Sequence, residues 1–148
     1  MEKKEIKIVG LDLDGTLLTD KKELLPYTKN VIKEALKNGT VVLVATGRPW
    51  TGVPEELREL PGMDYALTAN GARIIETRTG KVLEEHLLSK EAAKKAIAIG
   101  RKYDTLLEVY FDGQGYAQKD EIAQVRKYHK NPNMWDYFLR TRIAVDRL

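Results

Sequence analysis

The sequence predicts an α/β protein in two parts, and two observations carry that prediction. Two short runs rich in β-branched residues, the mostly apolar 6–11 and the continuously apolar 41–45, flank a segment of helical periodicity. Strand, helix, strand is a βαβ unit, and its crossover makes the two strands parallel. After Asn70-Gly71 the pattern changes to more polar strand signals and hairpin turns, the mark of an α+β region. The boundary falls near residue 85, giving parts 1–85 and 86–148.

Residues 6–11 form the first strand, expected to be buried because five of the six are apolar or glycine. Pro26 opens a helix, since a proline at the first helical position loses no hydrogen bond, and Gly39 stops it. Val31, Ile32, Ala35 and Leu36 make its apolar face. Residues 41–45 are the second buried strand, 54–60 a short helix and 65–67 a third strand. Residues 73–77 and 81–86 flank Thr79-Gly80, a hairpin signal. Ser89 is the N-cap of a helix reaching Tyr103, with Ala93, Ala96, Ile97 and Gly100 as its apolar stripe. Strands at 105–110 and 114–117 follow around Asp112-Gly113, then a helix at 121–129.

Composition narrows the function. The 148 residues are 43% hydrophobic and 32% charged, ordinary for a globular chain. Lys and Arg exceed Asp and Glu by 25 − 22, or +3, and the charges are interspersed, so neither nucleic acid nor a membrane surface is expected as partner. Cysteine is absent, which excludes disulfides and thiolate metal sites. The charged start, residues 1–7, runs straight into a strand and no apolar stretch suits a signal core or a membrane span, so a cytoplasmic protein is expected.

The chemistry concentrates at strand ends. Leu11-Asp12-Leu13-Asp14-Gly15-Thr16 closes the first strand, at the edge where open parallel sheets bind ligands. Two carboxylates two residues apart point to one side of an extended chain, and a turn at Gly15 lets both face one small volume. Two anions there need neutralising, and a hard divalent cation such as Mg²⁺ takes oxygen ligands of this kind. Ala45-Thr46-Gly47-Arg48 ends the second strand on the same rim, and its hydroxyl and open backbone N–H suit phosphate oxygens. Thr68-Ala69-Asn70-Gly71 follows the third strand and by itself reads as a turn with left-handed residues.

These segments resemble the haloacid dehalogenase-like (HAD) superfamily, and more closely its Cof-type sugar-phosphatase branch, which carries a large α/β cap. Asp12-Leu13-Asp14-Gly15-Thr16 is similar to its first motif, Thr46 to its second, and Asn70-Gly71-Ala72 and Met134-Trp135-Asp136-Tyr137-Phe138 to sequences of that branch. The resemblance implies the N-terminal part of a Rossmann-like core over 1–85 and part of the cap over 86–148. It implies Asp12 as the nucleophile that takes a phosphoryl group, and Asp14 as the acid that protonates the leaving alcohol and then the base that activates water. It implies Mg²⁺ on the Asp12 side chain and the Asp14 carbonyl, with Thr46, Gly47, Gly15 and Thr16 around the phosphoryl oxygens. Asn70 and Arg48 are candidates for touching substrate, expected to be a small phosphorylated metabolite such as a sugar phosphate.

That branch also has a third-motif Lys and fourth-motif acids after the cap, and no segment here matches them. The chain is expected to end inside the cap. Asp112-Gly113 reads as a hairpin turn, Lys119 and Lys127 as solvated charges, Trp50 and Trp135 as packing, and His86 and His129 have no spacing partner. Two function classes therefore stand: a Mg²⁺-dependent phosphomonoester hydrolase, or an inactive remnant or binding module. A signalling receiver domain is excluded by Ala45-Thr46-Gly47, which offers no acceptor carboxylate. An incomplete sheet leaves an open edge, so a homo-oligomer covering it is expected.

Overall fold

The computed structural model describes residues 5–148, so the first four residues of the charged N-terminal stretch lie outside it. The chain divides into two compact units, Met1–Glu85 and His86–Leu148.

The first unit is built on strands β1 (Ile8–Leu11), β2 (Val41–Ala45), β3 (Tyr65–Thr68), β4 (Arg73–Glu76) and β5 (Val82–Glu85), lying side by side in that order. β1, β2 and β3 are mutually parallel, with Leu11 opposite Val44 and Ala45 opposite Leu67. β4 and β5 extend the same sheet antiparallel. Helix α1 (Pro26–Lys37) crosses between β1 and β2, and the short α2 (Glu55–Arg58) follows a 3₁₀ turn at Trp50–Gly52. Both begin after an extended residue followed by or containing proline, which sets the entry φ. Alternate residues Val42 and Val44, with Ala66 and Ile75 in register, face the core under Leu13, Leu18, Leu24, Ile32, Val53, Leu57, Leu60 and Met63. Trp50 packs against that cluster, as expected of it.

Two expectations are corrected. β1 is not buried: it has one neighbour, its alternate residues are open, and Ile8 is 64% exposed. An apolar run alone cannot report whether a neighbouring strand will cover it. Val31 is half exposed, because it lies about a quarter turn from the centre of the α1 stripe formed by Ile32, Ala35 and Leu36.

The second unit contains α3 (Lys90–Gly100), the hairpin β6 (Glu108–Phe111) and β7 (Gln114–Gln118), then α4 (Lys119–Ala123), α5 (Val125–Tyr128), α6 (Pro132–Thr141) and β8 (Arg142–Val145). The Ser89 hydroxyl accepts from the Ala92 N–H at 3.1 Å, the N-cap expected there. The α3 stripe is nonetheless only partly covered, and Ala96 is exposed. Asp112 and Gly113 form the hairpin turn with φ of 48° and 73°, the left-handed pair that a two-residue connection needs. The helix expected at 121–129 is two pieces, broken at Gln124, where φ is −101° and ψ 17°. Neither α6 nor β8 was expected. Asn131 caps α6 by accepting from the Asn133 N–H at 3.0 Å, and Pro132 opens it. β8 pairs parallel with β7, Gly115 opposite Arg142. The core is Val125, Tyr137 and Phe138, with Leu106, Met134 and Trp135 against them. Arg142 is buried among them, its guanidinium near the Tyr110, Tyr137 and Phe138 rings, and paired with Glu108.

Among the described residues no helix is long and apolar enough to cross a membrane.

Candidate active site at the ends of the parallel strands

Because β1, β2 and β3 run parallel, the segments that leave their C-terminal ends share one rim. At the end of β1 the chain alternates sharply. Asp12 is exposed, Leu13 is fully buried and Asp14 is exposed again, so Leu13 anchors the two acids on the outer side of the core. A turn then closes, with the Leu17 N–H donating to the Asp12 carbonyl at 3.2 Å and the Leu18 N–H to the Leu13 carbonyl at 2.9 Å. Gly15 turns at φ 79°, where a side chain would be strained. Thr16 donates its hydroxyl to Asp12 Oδ2 at 3.1 Å.

Asp14 is held from the β2 end. Arg48 Nε donates to its Oδ2 at 2.8 Å and Arg48 Nη2 to its Oδ1 at 2.7 Å, a two-pronged fork, while Arg48 Nη1 donates to the Gly52 carbonyl at 2.8 Å. Lys22 Nζ adds a further bond to Asp14 Oδ1 at 2.8 Å. The Arg48 guanidinium above all, then Lys22, hold the Asp14 carboxyl down at about 2 against the opposing effect of partial burial. Arg48, a candidate for touching substrate, pairs with Asp14 in this structure. The charge on Asp14 is thus balanced by the protein's own cations, a neutralisation that sequence reasoning assigned to a metal.

Thr46 is buried, and its hydroxyl accepts from the Arg48 N–H at 3.2 Å. The turn after β3 folds back onto this loop. The Asn70 N–H donates to the Thr46 carbonyl at 3.1 Å, and the Ala69 N–H to the Arg48 carbonyl at 3.0 Å. Ala69, Asn70 and Gly71 take φ of 51°, 58° and 86°, three left-handed residues in a row. For Ala69 and Asn70 that is backbone strain of the kind that collects at functional sites. The turn sets the Asn70 amide directly against Gly47: a Cβ at that glycine would lie 2.7 Å from Asn70 Oδ1. A side chain at Gly47 would push the Asn70 amide aside, and Asn70, which reads as an ordinary turn residue on its own, belongs to the rim.

The oxygen atoms that could hold a metal at this rim are those of the Asp12 carboxylate and the Asp14 main-chain carbonyl. An all-oxygen set with few protein ligands suits Mg²⁺, which keeps several waters and takes substrate phosphate as a further ligand. Among the described residues no group of three or more His, Cys, Asp or Glu side chains could hold a metal, so the acidic pair is not backed by a third acid within them. Asp112 serves the hairpin, Lys119 pairs with Asp146 and Lys127 with Asp104 at exposed positions, and Trp135 packs in the second core. Lys22 escaped sequence reasoning, because Thr19-Asp20-Lys21-Lys22-Glu23 looks like any solvated charged loop.

Residues 9–143 match a family model described as haloacid dehalogenase-like hydrolase. The 5-amino-6-(5-phospho-D-ribitylamino)uracil phosphatase YcsE of Bacillus subtilis is 30% identical over 101 residues, 68% of this chain and 40% of that protein. The HMP-PP phosphatase of Serratia proteamaculans is 29% identical over 125 residues, 83% of this chain and 45% of that protein. A solved haloacid dehalogenase-like hydrolase of B. subtilis superposes with a TM-score of 0.77 at 21% identity, over 97% of this chain and 55% of that one. The chain thus spans less than half the length of the curated relatives it matches.

Proposed function

The chain belongs to the haloacid dehalogenase-like hydrolases, and from that premise we propose that it carries the phosphoryl-transfer half of a Mg²⁺-dependent phosphomonoester hydrolase acting in the cytoplasm on small phosphorylated metabolites, sugar phosphates among them. The observation that supports this best is the Arg48–Asp14 fork, which ties the end of β2 to the end of β1 and so gathers Asp12, Asp14, Thr46 and Gly47 on one rim. The names of the relatives, two of them phosphatases of small phosphorylated compounds, support the substrate class.

In this reading Met1–Glu85 is the N-terminal part of the family's core and His86–Leu148 part of its cap. An Asp12 carboxylate oxygen attacks phosphorus, and the bond from phosphorus to the leaving oxygen breaks. The departing alkoxide takes a proton from Asp14. Water then attacks phosphorus in the aspartyl phosphate, Asp14 accepts its proton, and phosphate leaves with Asp12 restored. The Thr46 hydroxyl and the backbone N–H groups of Gly47, Gly15 and Thr16 hold the phosphoryl oxygens, where charge spreads in the transition state. Asn70 borders that cradle from the Gly47 side. The Asp12 carboxylate and the Asp14 carbonyl would hold Mg²⁺, which would supply charge that screens the nucleophile from the anionic substrate. The Asp14 clamp seen here keeps that carboxyl charged, the state that activates water; donation to the leaving group requires the Arg48 fork to loosen.

The test is Mg²⁺-dependent hydrolysis of an aryl phosphate by this chain beside Asp12→Asn. Turnover that needs both Mg²⁺ and Asp12, and falls at least about 10³-fold in the variant, supports the hydrolase. No turnover above the variant makes the chain an inactive remnant or binding module instead. The open edge of β1, with Ile8 exposed, also supports a homo-oligomer that covers it. A monomer by sedimentation at micromolar concentration counts against that.

A further inference from the structure

Lys22 is placed too deliberately for a surface charge. It sits at φ 65°, a left-handed conformation that is strained for a non-glycine residue. The turn that imposes it is tight: the Lys22 N–H donates to the Thr19 carbonyl at 2.8 Å, the Thr19 N–H to the Glu23 carbonyl at 3.0 Å, and the Glu23 N–H to the Thr19 hydroxyl at 3.3 Å. A glycine would satisfy this turn without strain. Instead the position carries a long cation, whose ammonium reaches Asp14 Oδ1 at 2.8 Å and whose side chain is only 19% exposed.

Charge counting then separates the two cations on Asp14. The Arg48 fork already takes both carboxylate oxygens, and its side chain is 7% exposed. Lys22 is a second positive charge on the same single negative one, and it is the more accessible of the two. Asp14 thus carries one negative charge between two cations, and the Lys22 ammonium is the more solvent-facing of the two. In the hydrolase reading Asp14 faces the leaving oxygen, so this ammonium lies beside the leaving part of the substrate rather than beside the phosphoryl group.

We propose that Lys22 is a specificity-determining residue that recognises a second anionic group on the leaving part of the substrate, so that the preferred substrates are phosphate esters or anhydrides bearing a carboxylate or a further phosphate close to the leaving oxygen. The inference rests on the hydrolase reading for the identity of the leaving side. Its cause is the second, more accessible cation on Asp14 and the left-handed turn that aims it. An incoming anion shares the Lys22 ammonium with Asp14, which an ammonium with three donors can do without abandoning the carboxylate.

The experiment compares kcat/KM for 2-carboxyphenyl phosphate with that for phenyl phosphate, in the wild type, K22M, K22R and K22G. The wild type is expected to favour the carboxylated ester by about fivefold, the worth of one partly screened ion pair. The ratio falls to about one in K22M and survives in K22R. Using a ratio removes any loss that both substrates share, such as a change in how Asp14 is held. K22G relieves the backbone strain and so folds at least as well as the wild type, yet it too must lose the preference. A wild-type ratio near one, or a ratio unchanged in K22M and K22G, overturns the proposal while leaving the hydrolase intact. Where neither ester is turned over in an Asp12-dependent way, the hydrolase reading fails and the Lys22 proposal is read by calorimetry with Mg²⁺ present. Pyrophosphate binding tighter than inorganic phosphate, with the difference lost in K22M, upholds recognition of a second anion; equal affinities, or a difference that K22M keeps, overturn it.

Discussion

The two units solve the problem of a core in opposite ways. In the first, twelve buried apolar side chains from strands, helices and loops make one continuous cluster. In the second the buried apolar cluster is three residues, and the space beside it is filled by Arg142, ringed by aromatic faces and paired with Glu108. The first unit relies on apolar burial, which is non-directional and tolerant of small shifts. The second relies on a desolvated ion pair, which holds only while both partners are present.

That contrast can be broken by substitution, with Trp50 and Trp135 reporting the two units separately in W135F and W50F backgrounds. The largest effect is expected in the second unit. Arg142→Met leaves Glu108 without its cation and should destabilise the unit by about 3 kcal/mol or more, with part recovered by adding Glu108→Gln. Recovery of nothing would mean that the ring contacts, not the ion pair, carry the stability. Next comes Leu57→Ala in the first unit, where a fully buried side chain leaves a cavity and costs about 3 kcal/mol in urea unfolding followed by Trp50. A shift of the Trp135 signal by the same amount would show the two cores unfolding as one.

The units should also fail at opposite ends of the pH scale. Asp14 is held at about 2 in the folded chain and titrates near 3.8 when unfolded, so its stabilising contribution is present above pH 4 and is lost as pH falls from about 4 to about 2. Tyr110 is pushed up to about 12, chiefly by burial and then by the Glu108 charge, from an ordinary value of 10. Its contribution is complete below pH 10 and is lost as pH rises from about 10 to about 12. Asp14→Asn should flatten the acid limb seen by Trp50, and Tyr110→Phe the alkaline limb seen by Trp135. The smallest effect is expected for Lys127→Ala, where the pair with Asp104 is solvent-exposed and its loss should leave the urea midpoint of the second unit unchanged within error.

Much of the first unit was legible locally. Period, proline and glycine marked β2, α1, β3 and the β4–β5 hairpin, and parallel strands then put Asp12, Thr46 and Asn70 at one edge. The second unit was harder to read. Its α6 begins at Asn131-Pro132, a start signal in plain view, and its apolar residues fall on one face, so it too was legible; the parallel pairing of β8 to β7 has no local mark. The break at Gln124 was equally silent.

What the sequence determined by itself is therefore the set of chemical groups and the strand ends that carry them, because hydrophobic period and turn chemistry act over a few residues. What only the tertiary structure decided is which charges meet. Asp14 and Arg48 are 34 residues apart, as are Glu108 and Arg142. Lys22 reaches Asp14 through a backbone turn whose left-handed φ no residue in it demands. Likewise the exposure of β1 follows from its place at the sheet edge. Burial and ion pairing depend on what lies across space, and a chain's local pattern records only its own side of that contact.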